Sequence, residues 1–137
     1  MDEAAQRRRR VLLLQKYLLN PPTKLAVFLG LVPGHALIET TGRKTGKRRR
    51  TVVGVHEDDG HLWVVAEQGR HAGYVRNVEA SPQVRIRVRG RWRSATGHLL
   101  PDDDPVARVT SFGRDRHTRL VTSMGTSLLT LRFDLER

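Results

Sequence analysis

The chain predicts a mainly β, α+β fold: a small closed or split β-barrel of about six antiparallel strands with an N-terminal helix and further helices at the rim. Three observations carry that reading. Apolar residues recur at every second position through the middle of the chain, most clearly where Val84, Ile86 and Val88 alternate with Arg85, Arg87 and Arg89. The alternating runs are joined by short glycine-bearing turns, at Gly42 to Gly46, Asp59-Gly60 and Gly90, which makes neighbouring strands antiparallel. Helical patterns lie only near the two ends and at one insertion, and 137 residues suffice for one core.

Residues 3–20 predict a helix, with Arg7 to Arg10 charged and Val11, Leu12, Leu13, Leu14, Tyr17, Leu18 and Leu19 apolar. Asn20-Pro21-Pro22 is expected to end it. A shorter apolar stretch, 25–32, is broken by Gly30 and then Pro33-Gly34. Residues 1–34 are therefore expected to be an N-terminal amphipathic helical segment, and 35–137 the barrel domain. Neither stretch reaches the roughly 20 apolar residues of a membrane span. Gln15 and Lys16 interrupt the run that a signal peptide would need. Two readings stay open for residues 1–20: a helix packed on the barrel, or a basic segment lying on an anionic membrane surface.

Residues 36–41, with Leu37, Ile38 and two threonines, read as the first strand. The chain turns through Gly42 and Gly46 and leaves as a second strand over 49–57. Around that turn sit Arg43, Lys44, Lys47, Arg48, Arg49 and Arg50, with hydroxyls at Thr45 and Thr51. Exposed backbone N–H groups, guanidinium forks and a lysine point charge in one small volume suit a phosphate or a carboxylate. The same charges fit a solvated hairpin or a nucleic-acid backbone. A third strand, with Leu62, Val64 and Ala66 on one face, follows the Asp58-Asp59-Gly60 turn and runs into Gln68-Gly69-Arg70, where glycine lets a ligand approach the backbone. A helix over 72–80 stops at Pro82. In the next strand Arg85, Arg87 and Arg89 are expected to form a solvated basic face, and after Gly90 the last strand of this pair carries Trp92 and Ala95. Pro101-Asp102-Asp103-Asp104-Pro105 marks a loop and a helix start; 106–124 read as helical, broken at Gly113, and 128–135 as the last strand.

Composition narrows the chemistry. A formal net charge of +11, from 25 basic against 14 acidic residues, points to an anionic partner. The absence of cysteine excludes disulfides, thiolate metal sites and a cysteine nucleophile, and is compatible with a reducing cytoplasm. The six histidines have no zinc-helix spacing, and most are expected at surface or loop positions. The three adjacent aspartates lack calcium-loop spacing, so no metal site is predicted. Neither a dinucleotide-binding glycine fingerprint nor a P-loop occurs.

Thr41-Gly42-Arg43-Lys44-Thr45-Gly46, followed by Arg49 and Thr51, resembles the signature of the deazaflavin-dependent nitroreductase family, FMN-binding-like split-barrel oxidoreductases that use coenzyme F420. Val64-Val65-Ala66-Glu67-Gln68-Gly69 resembles that family's strand and glycine turn, and residues 74–84, from Tyr74 to Val84, its helix and following strand. The match runs over residues 36–100. It implies that the cofactor's phosphate and acidic tail lie against Arg43, Lys44, Thr45, Gly46, Arg49 and Thr51. It also implies that Ala66, Glu67, Gln68, Gly69 and Arg70 border the deazaflavin ring, and that Tyr74 and Asn77 close the pocket, with Tyr74 the candidate catalytic side chain. The activity implied is hydride transfer from reduced F420 to a quinone, nitro or other conjugated small-molecule acceptor.

Departures from the family pattern bear on the acceptor. Glu67-Gln68 stands where relatives carry a small or hydroxyl residue and a lysine, and Tyr74-Val75-Arg76-Asn77 where many have Trp-Tyr-His/Leu-Asn. The only tyrosines are Tyr17 and Tyr74. An ionised Glu67 would oppose a developing substrate anion, so a quinone is favoured over a nitro compound. The alternatives are an FMN- or tetrapyrrole-binding protein of the same barrel, or a basic membrane- or nucleic-acid-binding protein without turnover, nucleic acid being the less favoured. The expected location is the cytoplasm, with peripheral membrane contact through residues 1–20 as the second reading.

Overall fold

The structure, a computed structural model, describes residues 21–124 and 127–136. The helix predicted over 3–20, and with it the membrane-surface reading, lies outside the described residues. Pro21, expected as part of a helix stop, instead opens α1 (Pro21–Phe28). Proline is tolerated in a first helical turn because the N–H it lacks would have no intrahelical partner there. Then come β1 (His35–Thr41), β2 (Arg48–Gly54), β3 (His56–Asp58) and β4 (His61–Ala66). A 3-10 turn (Gly69–His71) leads into α2 (Gly73–Ala80), followed by β5 (Gln83–Val88) and β6 (Arg91–Leu100). The chain finishes with α3 (Pro105–Ser111), α4 (Asp115–Met124) and β7 (Leu129–Leu135).

The strands form one antiparallel seven-stranded sheet in the order β2-β1-β5-β6-β7-β4-β3. It curls until β2 meets β4 across the opening, which gives a half-barrel. The count is seven rather than about six because the strand predicted over 49–57 is two. The β1–β2 ladder ends at the His35–Gly54 pair, Val55 N–H donates to the Gly34 carbonyl at 2.8 Å, and the chain then pairs with β4 through His56–Trp63. β3 and β4 are joined by Asp59 and Gly60, and β5 and β6 by Arg89 and Gly90, each pair with positive φ at both residues. This is the turn whose twist matches that of the strands.

Alternation sorts the side chains. The inward face carries Ala36, Ile38, Leu62, Val64, Ala66, Val84, Ile86, Leu131 and Phe133, all buried in one cluster with Val75 and Val78 of α2. On the outer face Val27 of α1 packs with Leu37 and Val52, while Val65 packs with Val109, Phe112 and Val121 of α3 and α4. Gly113, with φ of 71°, separates these last two helices as its position predicts.

The basic face of β5 is not simply solvated. Arg85 reaches Glu39 at 3.4 Å, Arg87 lies 3.6 Å from the centre of the Phe28 ring and donates from Nε to the Phe28 carbonyl at 2.6 Å, and Arg89 pairs with Glu57 at 2.6 Å. Phe28 of α1 stacks on Arg87, while Glu39 of β1 and Glu57 of β3 turn expected solvent contacts of Arg85 and Arg89 into ion pairs. Four histidines stand on strands, partly exposed. His35 opens β1, His56 of β3 stacks on Phe112 at 4.7 Å, and His61 of β4 and His98 of β6 both reach Asp134, at 2.7 and 3.0 Å. The aspartates act as a helix start. Asp104 accepts from the N–H groups of Val106 and Ala107 at 3.1 Å, and Asp103 holds Arg108 through two bonds of 2.9 and 3.2 Å.

Candidate active site

The turn between β1 and β2 is closed by its own backbone. Gly42 N–H donates to the Lys47 carbonyl at 2.7 Å, Gly46 N–H to the Gly42 carbonyl at 2.8 Å, and Lys47 N–H to Thr45 Oγ1 at 3.3 Å. Gly46 needs its positive φ of 70° for this geometry rather than for space, because nothing lies within 4 Å of where a Cβ would stand. Arg43, Lys44, Thr45, Gly46, Lys47 and Arg49 are all exposed.

Strand alternation divides the neighbouring arginines between two faces. Thr40 pairs with Arg49 and Ile38 with Thr51, and since Ile38 belongs to the inward core, Arg49 and Thr51 lie on the groove side. Glu39 pairs with Arg50 on the outer side. Its carboxylate is only 5% exposed and takes Arg50 at 3.0 Å, Arg85 at 3.4 Å and Arg48 at 3.9 Å. Of three consecutive arginines, two are therefore engaged by one buried acid, and Arg49 faces the groove. Lys44, Lys47 and Arg49 have no ion-pair partner among the described residues. The role of Glu39 went unread in the sequence, where only the alternation 48-50 against 49-51 could have signalled it.

Asn77, on α2, ties this turn to the helix. Its Oδ1 accepts from Arg43 N–H at 3.2 Å and from the Arg43 guanidinium at 3.0 Å, and its Nδ2 donates to Thr40 Oγ1 at 3.1 Å. Asn77 and Thr40 are both buried. Asn77 is thus a bracket that holds the turn, and Thr40 is its unanticipated partner.

At the end of β4 the Ala66 side chain is in the core, so what it can present to a ligand is backbone. Gly69 is buried at a φ of 51°, where a Cβ would collide with the Ser127 carbonyl, so glycine is required. Glu67 and Gln68 are half-buried. Arg70 is exposed and pairs with Glu79 at 3.1 Å, while its carbonyl accepts from Arg76 at 2.8 Å. Burial pushes the Glu67 carboxyl above its ordinary value, toward the neutral form. Tyr74 is partly buried against the core, and burial, with Glu67 nearby, drives its phenol far above its usual range, so it stays protonated. The objection raised by an ionised Glu67 is correspondingly weaker.

The model of the F420H(2)-dependent quinone reductase family matches residues 24–134. The chain belongs to that family. It is therefore an F420-dependent oxidoreductase whose cofactor is coenzyme F420. Among solved structures, an F420-H2 dependent reductase, FDR-A, superposes on this quinone reductase family member with a TM-score of 0.58 at 21% identity, covering 76% of this chain and 95% of that one. The heme storage protein HutZ of Vibrio cholerae gives 0.59 at 15% identity, over 87% and 91% of the two chains. A FAD-binding protein of Mesorhizobium loti gives 0.55 at 17%, over 87% and 90%. At these identities the structures establish the split-barrel fold. No curated protein is similar enough in sequence to count as a match.

The donor set at the turn fits the family's cofactor, an anionic molecule with a phosphate and an acidic tail. Lys44, Lys47 and Arg49 are cations without acidic partners among the described residues, in a segment that also carries the Thr45 and Thr51 hydroxyls. Among the described residues no cluster of three metal-ligating side chains occurs, and no helix is long and apolar enough to cross a membrane.

Proposed function

We propose that this protein reduces a quinone with hydride taken from F420H2 held between the β1–β2 turn and the segment running from the end of β4 into α2. The observation that carries the placement is the contrast within one hairpin: Arg48 and Arg50 serve Glu39, whereas Lys44, Lys47 and Arg49 have no acidic partner. The quinone rests on the reaction for which the family is named. When bound, reduced F420 supplies the hydride, and the protein's work is to hold and orient.

Lys44 and Arg49 hold the phosphate and tail carboxylates, Arg49 through its two-pronged fork and Lys44 as a point charge. Thr45 and Thr51 supply hydroxyl hydrogen bonds beside them. The Arg43 backbone and guanidinium, fixed by Asn77, set the shape of the turn before anything binds. Residues 66–70 border the ring through backbone, with Gly69 held at its positive φ against the Ser127 carbonyl. The Tyr74 hydroxyl, kept protonated by burial, donates a hydrogen bond to a polar edge of the ring or of the acceptor. Burial disfavours the charged form of Glu67, which eases its repulsion of the oxygen that becomes anionic as hydride arrives.

The test is anaerobic oxidation of F420H2 followed by absorbance, with menadione and a nitroaromatic as parallel acceptors and FMN as a competing ligand. Oxidation with menadione, at least tenfold faster than with the nitro compound, is the expected result. No oxidation with any quinone, or tighter binding of FMN than of F420, would overturn the proposal.

A further inference from the structure

At the pole of the barrel opposite the basic turn lies a second cavity of about 350 Å³, lined by Val32, Pro33, Val55, Val88, His56 and Arg114, among others. It sits beside the His35–Gly54 end of the β1–β2 ladder, and the turn lies beyond the Thr41–Arg48 end. Seven strand residues separate the two, roughly 20 Å at about 3.4 Å per residue. Its volume falls within the range of small-molecule sites, about 300–1,000 Å³.

Arg114 enters from the loop between α3 and α4. One terminal nitrogen donates to the Gly34 carbonyl at 3.2 Å and the other to the Val55 carbonyl at 3.0 Å. Its Nε is buried with no hydrogen-bond partner, and no acid pairs with it among the described residues. Glu57, which also lines the cavity, is engaged by Arg89 at 2.6 Å and Arg93 at 3.7 Å. A partly desolvated guanidinium held by two neutral carbonyls has no compensating carboxylate among the described side chains, and burial pushes its pKa down. A carboxylate beside it would supply the missing charge and an acceptor for the fork. The surrounding wall of Val32, Pro33, Val55 and Val88 is apolar, with the His56 ring fixed against Phe112.

We propose that this cavity is a second ligand site, distinct from the cofactor groove, that takes a small apolar monocarboxylate with its charge on Arg114. The apolar body lies against Val32, Pro33, Val55 and Val88, and the carboxylate meets the guanidinium.

The test uses naphthoate as probe and the isosteric neutral naphthamide as comparison, with binding read by chemical-shift changes of assigned backbone amides. Naphthoate is expected to shift Gly34, His35, Val55 and His56, and naphthamide to bind at least about tenfold more weakly, the loss of one charge-assisted hydrogen bond. Arg114→Gln should remove the difference between the two probes. Because Arg114 also holds two carbonyls and its variant can unfold, Val32→Trp, which fills the rim from a partly exposed position, provides the second arm and should block binding in a folded protein. Saturable shifts confined to residues 42–49 would show only an anion on the basic turn and overturn the proposal. So would equal affinity for naphthoate and naphthamide, unchanged binding in Val32→Trp, or no binding at millimolar probe.

Discussion

Asn77 grips Arg43 twice, accepting from its backbone N–H at 3.2 Å and from its guanidinium at 3.0 Å, while donating to Thr40 at 3.1 Å. One buried amide thereby joins α2, the last inward threonine of β1 and the first cation of the turn. Asn77→Ala leaves the buried Thr40 hydroxyl and the Arg43 N–H without this partner, at a cost of about 1–3 kcal/mol. In thermal unfolding this should lower Tm by roughly 3–10 °C. F420 affinity should fall as well, although no charge has been removed. An unchanged Tm and affinity would deny Asn77 its role as bracket.

Lys44 and Arg49 offer the sharpest contrast with neighbours of the same charge. Lys44→Ala or Arg49→Ala should each weaken F420 binding about 10- to 150-fold, the equivalent of a charge-assisted hydrogen bond of roughly 1.5–3 kcal/mol. Arg49→Lys should recover part of the loss, since the charge stays and the fork goes. Arg91→Ala, on β6, is the control, being exposed and without an ion-pair partner among the described residues. Arg50→Ala should act on stability through Glu39 rather than on affinity. If binding were due to the field of the whole protein, titrations would show equal small losses at all these positions, erased by salt.

Glu67 provides a test in pH. Its folded pKa is raised above the ordinary value of 4.5 by burial, so the folded state holds the proton more tightly than the unfolded one. Its contribution to stability is therefore fully present below that ordinary value and is lost as pH rises through the folded pKa. Glu67→Gln, permanently neutral, should be more stable than the parent at neutral pH and should lose that advantage in denaturation curves below about pH 4. A variant destabilised at neutral pH, with the deficit vanishing below about pH 4, would mean instead that Glu67 is held as a carboxylate.

The local form of the candidate site was legible from the chain alone. The run from Thr41 to Gly46 with Arg49 and Thr51 specified a basic turn between two strands, because glycines, strand alternation and charge are all local properties. Gly69 was read as leaving room for a ligand, whereas the structure sets the Ser127 carbonyl where its Cβ would stand, a contact distant along the chain that no local pattern signals. Gly113 broke the helical run where a glycine should, and Asp104 before Pro105 marked a helix start.

What local pattern could not carry is which face of the sheet becomes covered and by what. The split of the strand over 49–57 arises because Val55 N–H finds the Gly34 carbonyl and the chain changes partners from β1 to β4. The arginines of β5 look alike in sequence, yet α1 and Glu39 give Arg85 and Arg87 partners far away along the chain. Asn77 and Thr40 lie 37 positions apart and meet only when α2 closes over the end of β1. The sequence by itself determined the barrel, its turns and the charge of its rim, through periodicity and backbone preference. Only the tertiary structure decided which cations are neutralised and which stay without an acidic partner, because that depends on contacts whose geometry exists only once the sheet has curled.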